Sequence, residues 1–275
     1  MSKCFTVALV PIAAMFAVVN AFPQQPASTR YLTVLSVKVA PDKQGAFIDF
    51  YKTGAGAKAA RARMKDNPDF LRYALLQAVY PGDPAPAANF ILGSTTNKPP
   101  AEPDPGKRDE MYRAAVGMNY ADYITKVRTM SEPVGSTLSH LHDTTAGYTV
   151  SEGDYLVIRR LKTSQNKTQE VNAMMRDTRL PLNDERVKGG AIKGWSFAHL
   201  TFPTGTALPY NATEVTVFKD LASAVAGSGG GGNGAMASFA KLFPTKSYTG
   251  YVDASRDDIR VVRTELYRVV AAYRQ

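Results

Sequence analysis

The sequence holds a single cysteine, Cys4, and it lies in an apolar N-terminal stretch. If that stretch is removed no thiol remains, which excludes disulfides, thiolate metal sites and a cysteine nucleophile together. Histidine is nearly as scarce, with only His140, His142 and His199. Chemistry that needs an imidazole near neutral pH is confined to those three positions. Serine nucleophiles lack their setting, because Gly135-Ser136 and Gly194-Trp195-Ser196 are not part of a Gly-x-Ser-x-Gly elbow. The glycines at 229 to 232 are not followed by Lys-Ser or Lys-Thr, so they form no phosphate loop. Beyond the N-terminal stretch no segment is long and apolar enough to span a bilayer, so no transmembrane anchor is expected.

Lys and Arg outnumber Asp and Glu, for a formal net charge of +9, yet they are scattered and never run five in a row. Their densest stripe, Arg61, Arg63 and Lys65, is offset by Asp66 and Asp69. Such a surface suits solubility and anionic partners, but no nucleic-acid-binding module is present and nucleic acid is not an expected partner.

The N-terminus reads as an export signal: Lys3, an apolar run from Phe5 to Val19, then Val19-Asn20-Ala21 before a cleavage point after Ala21. Pro11 interrupts the run, and its length falls short of the ~20 apolar residues of a spanning helix. The expected product is secreted or periplasmic. Residues 22–29 form a polar, proline-containing leader with nothing to pack.

What remains carries one pattern twice. Tyr31-Leu32-Thr33-Val34-Leu35-Ser36-Val37-Lys38 is echoed 124 residues later by Tyr155-Leu156-Val157-Ile158-Arg159-Arg160-Leu161-Lys162. The same offset relates Tyr73-Ala74-Leu75-Leu76 to Phe197-Ala198-His199-Leu200. A period of this length implies two copies of a domain-sized unit, 30–146 and 154–275, joined by a linker at 147–153. In the first unit Tyr31–Val39 reads as a strand. Phe47, Phe50 and Tyr51 mark a helix face, with a break at Gly54 and Gly56. Strands at Tyr73–Val79 and Asn89–Ser94 follow across a proline-rich hairpin loop at 81–86. A second helix follows, which Tyr120–Met130 either continues or joins after a bend at Gly117, and Thr137–Asp143 closes the unit. The second unit repeats the order, with Asn166 as a helix N-cap, a kink or stop at Pro181, and a closing strand Arg263–Tyr273. Each unit therefore reads β-α-β-β-α-β, the ferredoxin-like order. The expected fold class is α+β: two tandem ferredoxin-like units packed sheet-to-sheet through their bare faces as a pseudo-dimeric α/β barrel.

This order, the duplication, and Arg179-Leu180-Pro181-Leu182-Asn183-Asp184-Glu185-Arg186 leading to Lys193-Gly194-Trp195-Ser196 resemble the dimeric α/β-barrel superfamily, in particular exported bacterial members of no assigned activity. The resemblance covers nearly all of the chain after the signal and carries no catalytic fingerprint. It implies relatives among cofactor-free monooxygenases, haem-degrading and chlorite-decomposing enzymes and muconolactone isomerases. The haem enzymes among them hold iron through a helix histidine. Here no histidine falls in an expected helix, and no cofactor is expected.

Three sets of residues are candidates for a site. His140 and His142 share a strand face and could meet His199 across the lumen as a three-imidazole metal site. Asp143 should point to the opposite face from His142. Trp195, Phe197, Tyr73 and Tyr155 could line an apolar pocket, with His199 as a catalytic base. Arg159 and Arg160 stand where the first unit has Leu35 and Ser36. One of them must face inward, either to hold an anion or to pair with Glu265 or Asp220. The leading reading is an exported small-molecule-binding protein taking an anionic or aromatic ligand between or at the rim of its halves. The alternatives are a cofactor-independent monooxygenase or isomerase-like enzyme, and a structural or interaction module without catalysis.

Overall fold

A computed structural model describes residues 30–80, 88–205, 207–228 and 234–275. The signal stretch, the leader, the hairpin loop at 81–86 and the glycine run at 229–232 lie outside the described residues. The first half runs β1 (Arg30–Val39), α1 (Gln44–Lys52), α2 (Ala55–Asp66), β2 (Phe70–Tyr80), β3 (Phe90–Thr96), α3 (Pro105–Val116), α4 (Tyr120–Met130) and β4 (Ser131–Thr144). The second runs β5 (Tyr155–Thr163), α5 (Thr168–Met174), a π-helical turn (Met175–Arg179), α6 (Leu180–Lys188), β6 (Gly194–Phe202), β7 (Ala212–Phe218), α7 (Leu221–Ser228), α8 (Ala235–Leu242), α9 (Tyr248–Arg256) and β8 (Ile259–Arg274). No described helix is long and apolar enough to cross a membrane.

The strands close into one antiparallel barrel in the order β1-β3-β2-β8-β5-β7-β6-β4. This corrects the expected sheet-to-sheet packing. Each half keeps the order fourth, first, third, second, but the halves meet edge to edge. One seam is the β2–β8 ladder, from Arg72↔Arg274 to Tyr80↔Leu266; the other is the β4–β6 ladder, from Leu138↔Phe202 to Thr144↔Ser196. The physical reason is that an open four-stranded sheet leaves two rows of unpaired N–H and C=O groups as well as a bare face. Closure pairs both rows and wraps the bare face around itself.

Where the helices cover it, the sheet is consequently buried on both sides, and all seven residues of β7 are buried. Outward residues of the first half, among them Val37, Phe90 and Leu92, pack with Phe47, Phe50 and Tyr123 under the helices. Val157, Leu161, Trp195, Phe197 and Phe218 form the matching layer of the second half with Val171 and Met175. A third cluster, including Leu76, Ile91, Ile158, Val215 and Val269, lies inside the barrel.

The first-half helix punctuation follows from the sequence. Gly54 separates α1 from α2, and Gly117, at φ 75°, ends α3 in the left-handed region before Asn119 caps α4 by accepting from the Asp122 N–H at 2.8 Å. The second half departs from expectation. Asn166 sits inside a short 3-10 turn (Gln165–Lys167), and α5 begins after it without a side-chain cap. Pro181 does not end the helix, which runs on to Lys188. It occupies the first turn of α6, where a missing N–H costs nothing, and the π turn before it absorbs the change in register.

Candidate functional site

The barrel encloses a cavity of about 290 Å³. Alternate residues of the strands point into it: Leu32 and Val34 from β1, Leu76 from β2, Ile91 from β3, Ile158 from β5 and Val215 from β7. Thr95, Thr137, Ser139 and Thr213 add hydroxyls to this mainly apolar wall. The space exists because two inward positions are small. Ala74 on β2 pairs with Gly93 on β3, and a Cβ placed on Gly93 would meet nothing within 4 Å. A mid-strand glycine that is not filling a tight contact marks room left for something else.

Residues 148–152, between the halves, also line the cavity, with Tyr148 packed against the interior cluster. Tyr148 fits because β6 begins with Gly194, where a side chain would come within 2.8 Å of the tyrosine ring. Burial pushes the Tyr148 phenol above its ordinary range, so it stays neutral and can donate or accept a hydrogen bond. The Arg72 guanidinium lies 5.6 Å from the centre of the same ring. Arg72 is half-buried, and no carboxylate pairs with it among the described residues. Burial lowers its pKa, and Arg30 and Arg274 push the same way against the Tyr148 ring. An anion in the lumen would relieve that crowding of positive charge.

The structure splits the predicted pocket residues between two layers. Tyr73 and Arg160 line the cavity; Trp195, Phe197 and Tyr155 do not, because they belong to the layer under the helices. Tyr73 is also packed outward, stacking with Tyr51 and Tyr273 at 6.2 and 6.3 Å. Arg160 faces inward and Arg159 outward, as alternation requires. Arg160 donates from Nε to Glu265 at 3.0 Å and lies over Tyr210, which is the expected pairing with Glu265. Arg159 reaches Glu214 at 3.4 Å on the opposite face. Gly93, Arg72 and Tyr148 are site residues that the sequence reading missed. The available signals were the mid-strand glycine and the unmatched arginine at the start of β2.

The histidines also lie on the outer face, so they do not meet across the lumen. β4 and β6 are neighbours, with His140 directly opposite His199. The His142 and His199 rings are 5.9 Å apart, and Phe197 stands 4.8 Å from His199. His199 donates from Nε2 to the Asn172 side-chain oxygen on α5 at 2.6 Å. Burial, with His142 and His140 adding to it, pulls the His199 pKa down to about 4, so the ring is neutral at pH 7. His142 donates from Nδ1 to Asp143 at 2.7 Å. That contact corrects the expectation that Asp143 points away, and its cause is a bulge in β4 between Leu141 and Asp143 that breaks strict alternation. Among the described residues no group of three His, Cys, Asp or Glu is arranged to hold a metal ion. No described helix contains a histidine, so the helix-histidine route to haem iron has no candidate among the described residues.

No family model matches the chain, and no curated protein matches it. Solved structures do. A protein from Fusobacterium nucleatum provisionally named a monooxygenase aligns over 90% of this chain and 94% of its own, with a TM-score of 0.55 at 11% identity. A second, from Lactobacillus acidophilus and named in the same way, aligns over 90% and 96%, with a TM-score of 0.52 at 8% identity. The chain has the dimeric α/β-barrel fold. An anthrone oxidase-like protein shares it over 89% of this chain and 92% of its own, with a TM-score of 0.50 at 9% identity. At these identities the likeness is one of backbone path and gives no residue a role.

Proposed function

We propose that this protein binds a small molecule with an apolar body and an acidic head inside its barrel. The observation that carries the reading is an apolar lumen of about 290 Å³ with Arg72 at its wall and no carboxylate partner for that arginine among the described residues. That volume sits at the lower end of the ~300–1,000 Å³ typical of ligand pockets, which suits a single-ring aromatic acid. Binding is favoured over turnover because, among the described residues, the lumen wall carries no histidine, its arginines cannot act as bases at neutral pH, and its carboxylate, Glu152, is paired with Lys52.

The test uses Gly93. Gly93→Leu fills the cavity from a position with open space, so the fold is retained and the ligand is displaced. In a calorimetric screen with hydroxybenzoates, wild type should bind and Gly93→Leu should lose at least tenfold in affinity with an unchanged circular dichroism spectrum. Equal binding by both would place the ligand elsewhere.

A second reading is an enzyme, a cofactor-independent oxygenase or isomerase-like protein with His199 as base. Its support is the names of the structural relatives and an imidazole held neutral at pH 7 beside the His142–Asp143 pair. Ligand-dependent oxygen uptake that disappears in His199→Ala would favour it over simple binding.

We read the two halves, 30–146 and 154–275, as tandem ferredoxin-like units joined through 147–153. The support is the repeated strand order and the 124-residue offset from the start of β2 to that of β6. We read residues 1–21 as an export signal, on the strength of Lys3, the apolar run and the small residues ending at Ala21. Protein recovered from the medium or periplasm of an expressing bacterium should begin at Phe22 by intact mass. Full-length mass in the cytoplasm alone would remove the reading.

A further inference from the structure

On the outer face of the second half, three arginines converge on one carboxylate. Arg159 comes from β5, Arg179 from the π turn and Arg186 from α6; Glu214 comes from β7. With Thr216, Tyr248 and the backbone at Gly227 they line a cavity of about 20 Å³. Glu214 is 4% exposed, and both of its oxygens are engaged. Oε1 accepts from the Trp195 indole N–H at 2.7 Å, and Oε2 accepts from Arg159 Nη1 at 3.4 Å. Arg186 spends one N–H on the Asn183 side chain at 2.8 Å, and Arg179 lies over the Tyr251 ring at 5.7 Å. The Nε of Arg179 and that of Arg186 are buried, and neither has a hydrogen-bond partner among the described residues.

The charge count is therefore uneven. Three guanidiniums, which do not deprotonate in proteins, face one carboxylate that Trp195 and Arg159 already occupy. Buried charges are ordinarily paired, and a guanidinium presents a fork of donors suited to oxyanions. The electrostatics differ among the three arginines: burial lowers the Arg179 pKa, but Glu214, Tyr251 and Tyr248 raise it above the ordinary value. Burial would raise the Glu214 pKa, but Arg179 and Arg159 hold it below the ordinary carboxylate range. Burial lowers that of Arg186, and Arg159 and Arg179 lower it further against the pull of Glu214. The cavity exceeds the ~10–15 Å³ that one water needs, and it falls far short of an organic ligand's ~300 Å³. A space of this size takes a water or a single small ion.

We propose that Arg159, Arg179 and Arg186 form a site for a tetrahedral oxyanion, inorganic phosphate or sulfate, on the opposite side of the barrel wall from the lumen. Adjacent residues feed the two sites: Arg160 lines the cavity within, and Arg159 lines this cleft.

Equilibrium dialysis of the full chain against radiolabelled phosphate at low ionic strength tests this directly. Saturable uptake of one phosphate per chain is expected, displaced by sulfate and not by equimolar chloride. Arg186→Gln, chosen because Arg186 hydrogen-bonds only to Asn183 among the described residues, should weaken uptake at least tenfold, while Gly93→Leu leaves it unchanged. Absence of saturable uptake by wild type overturns the site without reference to any variant. So does unchanged uptake by Arg186→Gln, or loss of uptake in Gly93→Leu, which would assign the ion to the lumen.

Discussion

Replacing Glu214 with glutamine is expected to destabilise the fold by about 3–5 kcal/mol, the range for removing one member of a buried ion pair. The side chain keeps its shape and can still accept from the Trp195 N–H, so packing and that hydrogen bond are largely preserved. The loss is electrostatic. Arg159, Arg179 and Arg186 would share a poorly hydrated space with no negative charge among them. Urea denaturation of wild type and variant, fitted for midpoint and slope, measures the difference. A cost below ~1 kcal/mol, the level of a surface pair, would mean that the guanidiniums are solvated and the cluster is not buried in effect. Phosphate should recover part of the loss, because an anion in the cleft replaces the missing charge and stabilises whichever state binds it.

Acid is expected to weaken the fold between about pH 6.5 and pH 4 through His199. Its pKa is lowered from 6.5 to about 4, by burial first and then by His142 and His140, with Asp143 opposing. In that window the unfolded chain binds a proton that the folded chain refuses, so stability falls as pH falls and is fully present above the unfolded value. A shift of this size corresponds to roughly 2–3 kcal/mol by pH 4. Carboxylates titrate in the same range, so the informative quantity is the difference between wild type and His199→Gln. The variant keeps a donor for Asn172 but cannot take up the proton. Chemical denaturation at pH 7 and pH 4.5 should show a shallower acid loss in the variant. Identical slopes would mean that His199 is hydrated enough to titrate normally.

Much of the architecture was legible because it depends on local pattern. The offset between Tyr73 and Phe197 reflects strands that occupy equivalent places, and Gly54 and Gly117 interrupt helices for reasons of backbone alone. Closure of the barrel was not legible. Pairing of β2 with β8 and of β4 with β6 depends on unpaired edges, and an edge strand has no side-chain signature that names its partner.

The same closure hides which way each strand faces. When both sides of a strand are apolar, alternation distinguishes two sets of residues but not inside from outside. Trp195, Phe197 and Tyr155, expected to line the pocket, lie instead in the layer under the helices. Asp143 failed for a different reason: one extra residue in β4 carries its carboxylate round to His142. The arginines were half readable. That one of Arg159 and Arg160 faces inward follows from pleating, and Glu265 as a partner was within the expectation. The meeting of Arg159 with Arg179 and Arg186 needs the π turn and α6 packed on the outer face of the sheet, beside β6.

The seam between β2 and β8 also bears on how the molecule comes together. Its register joins Arg72 to Arg274 across some 200 intervening residues. Contacts of such separation are entropically late, because both sheets must exist before the ladder rewards bringing them together. Assembly should therefore end with a zippering step in which two half-built cylinders, each with raw rims, find one another. In that interval the rims of a neighbouring copy are equally good partners, so yield on refolding should fall as protein concentration rises.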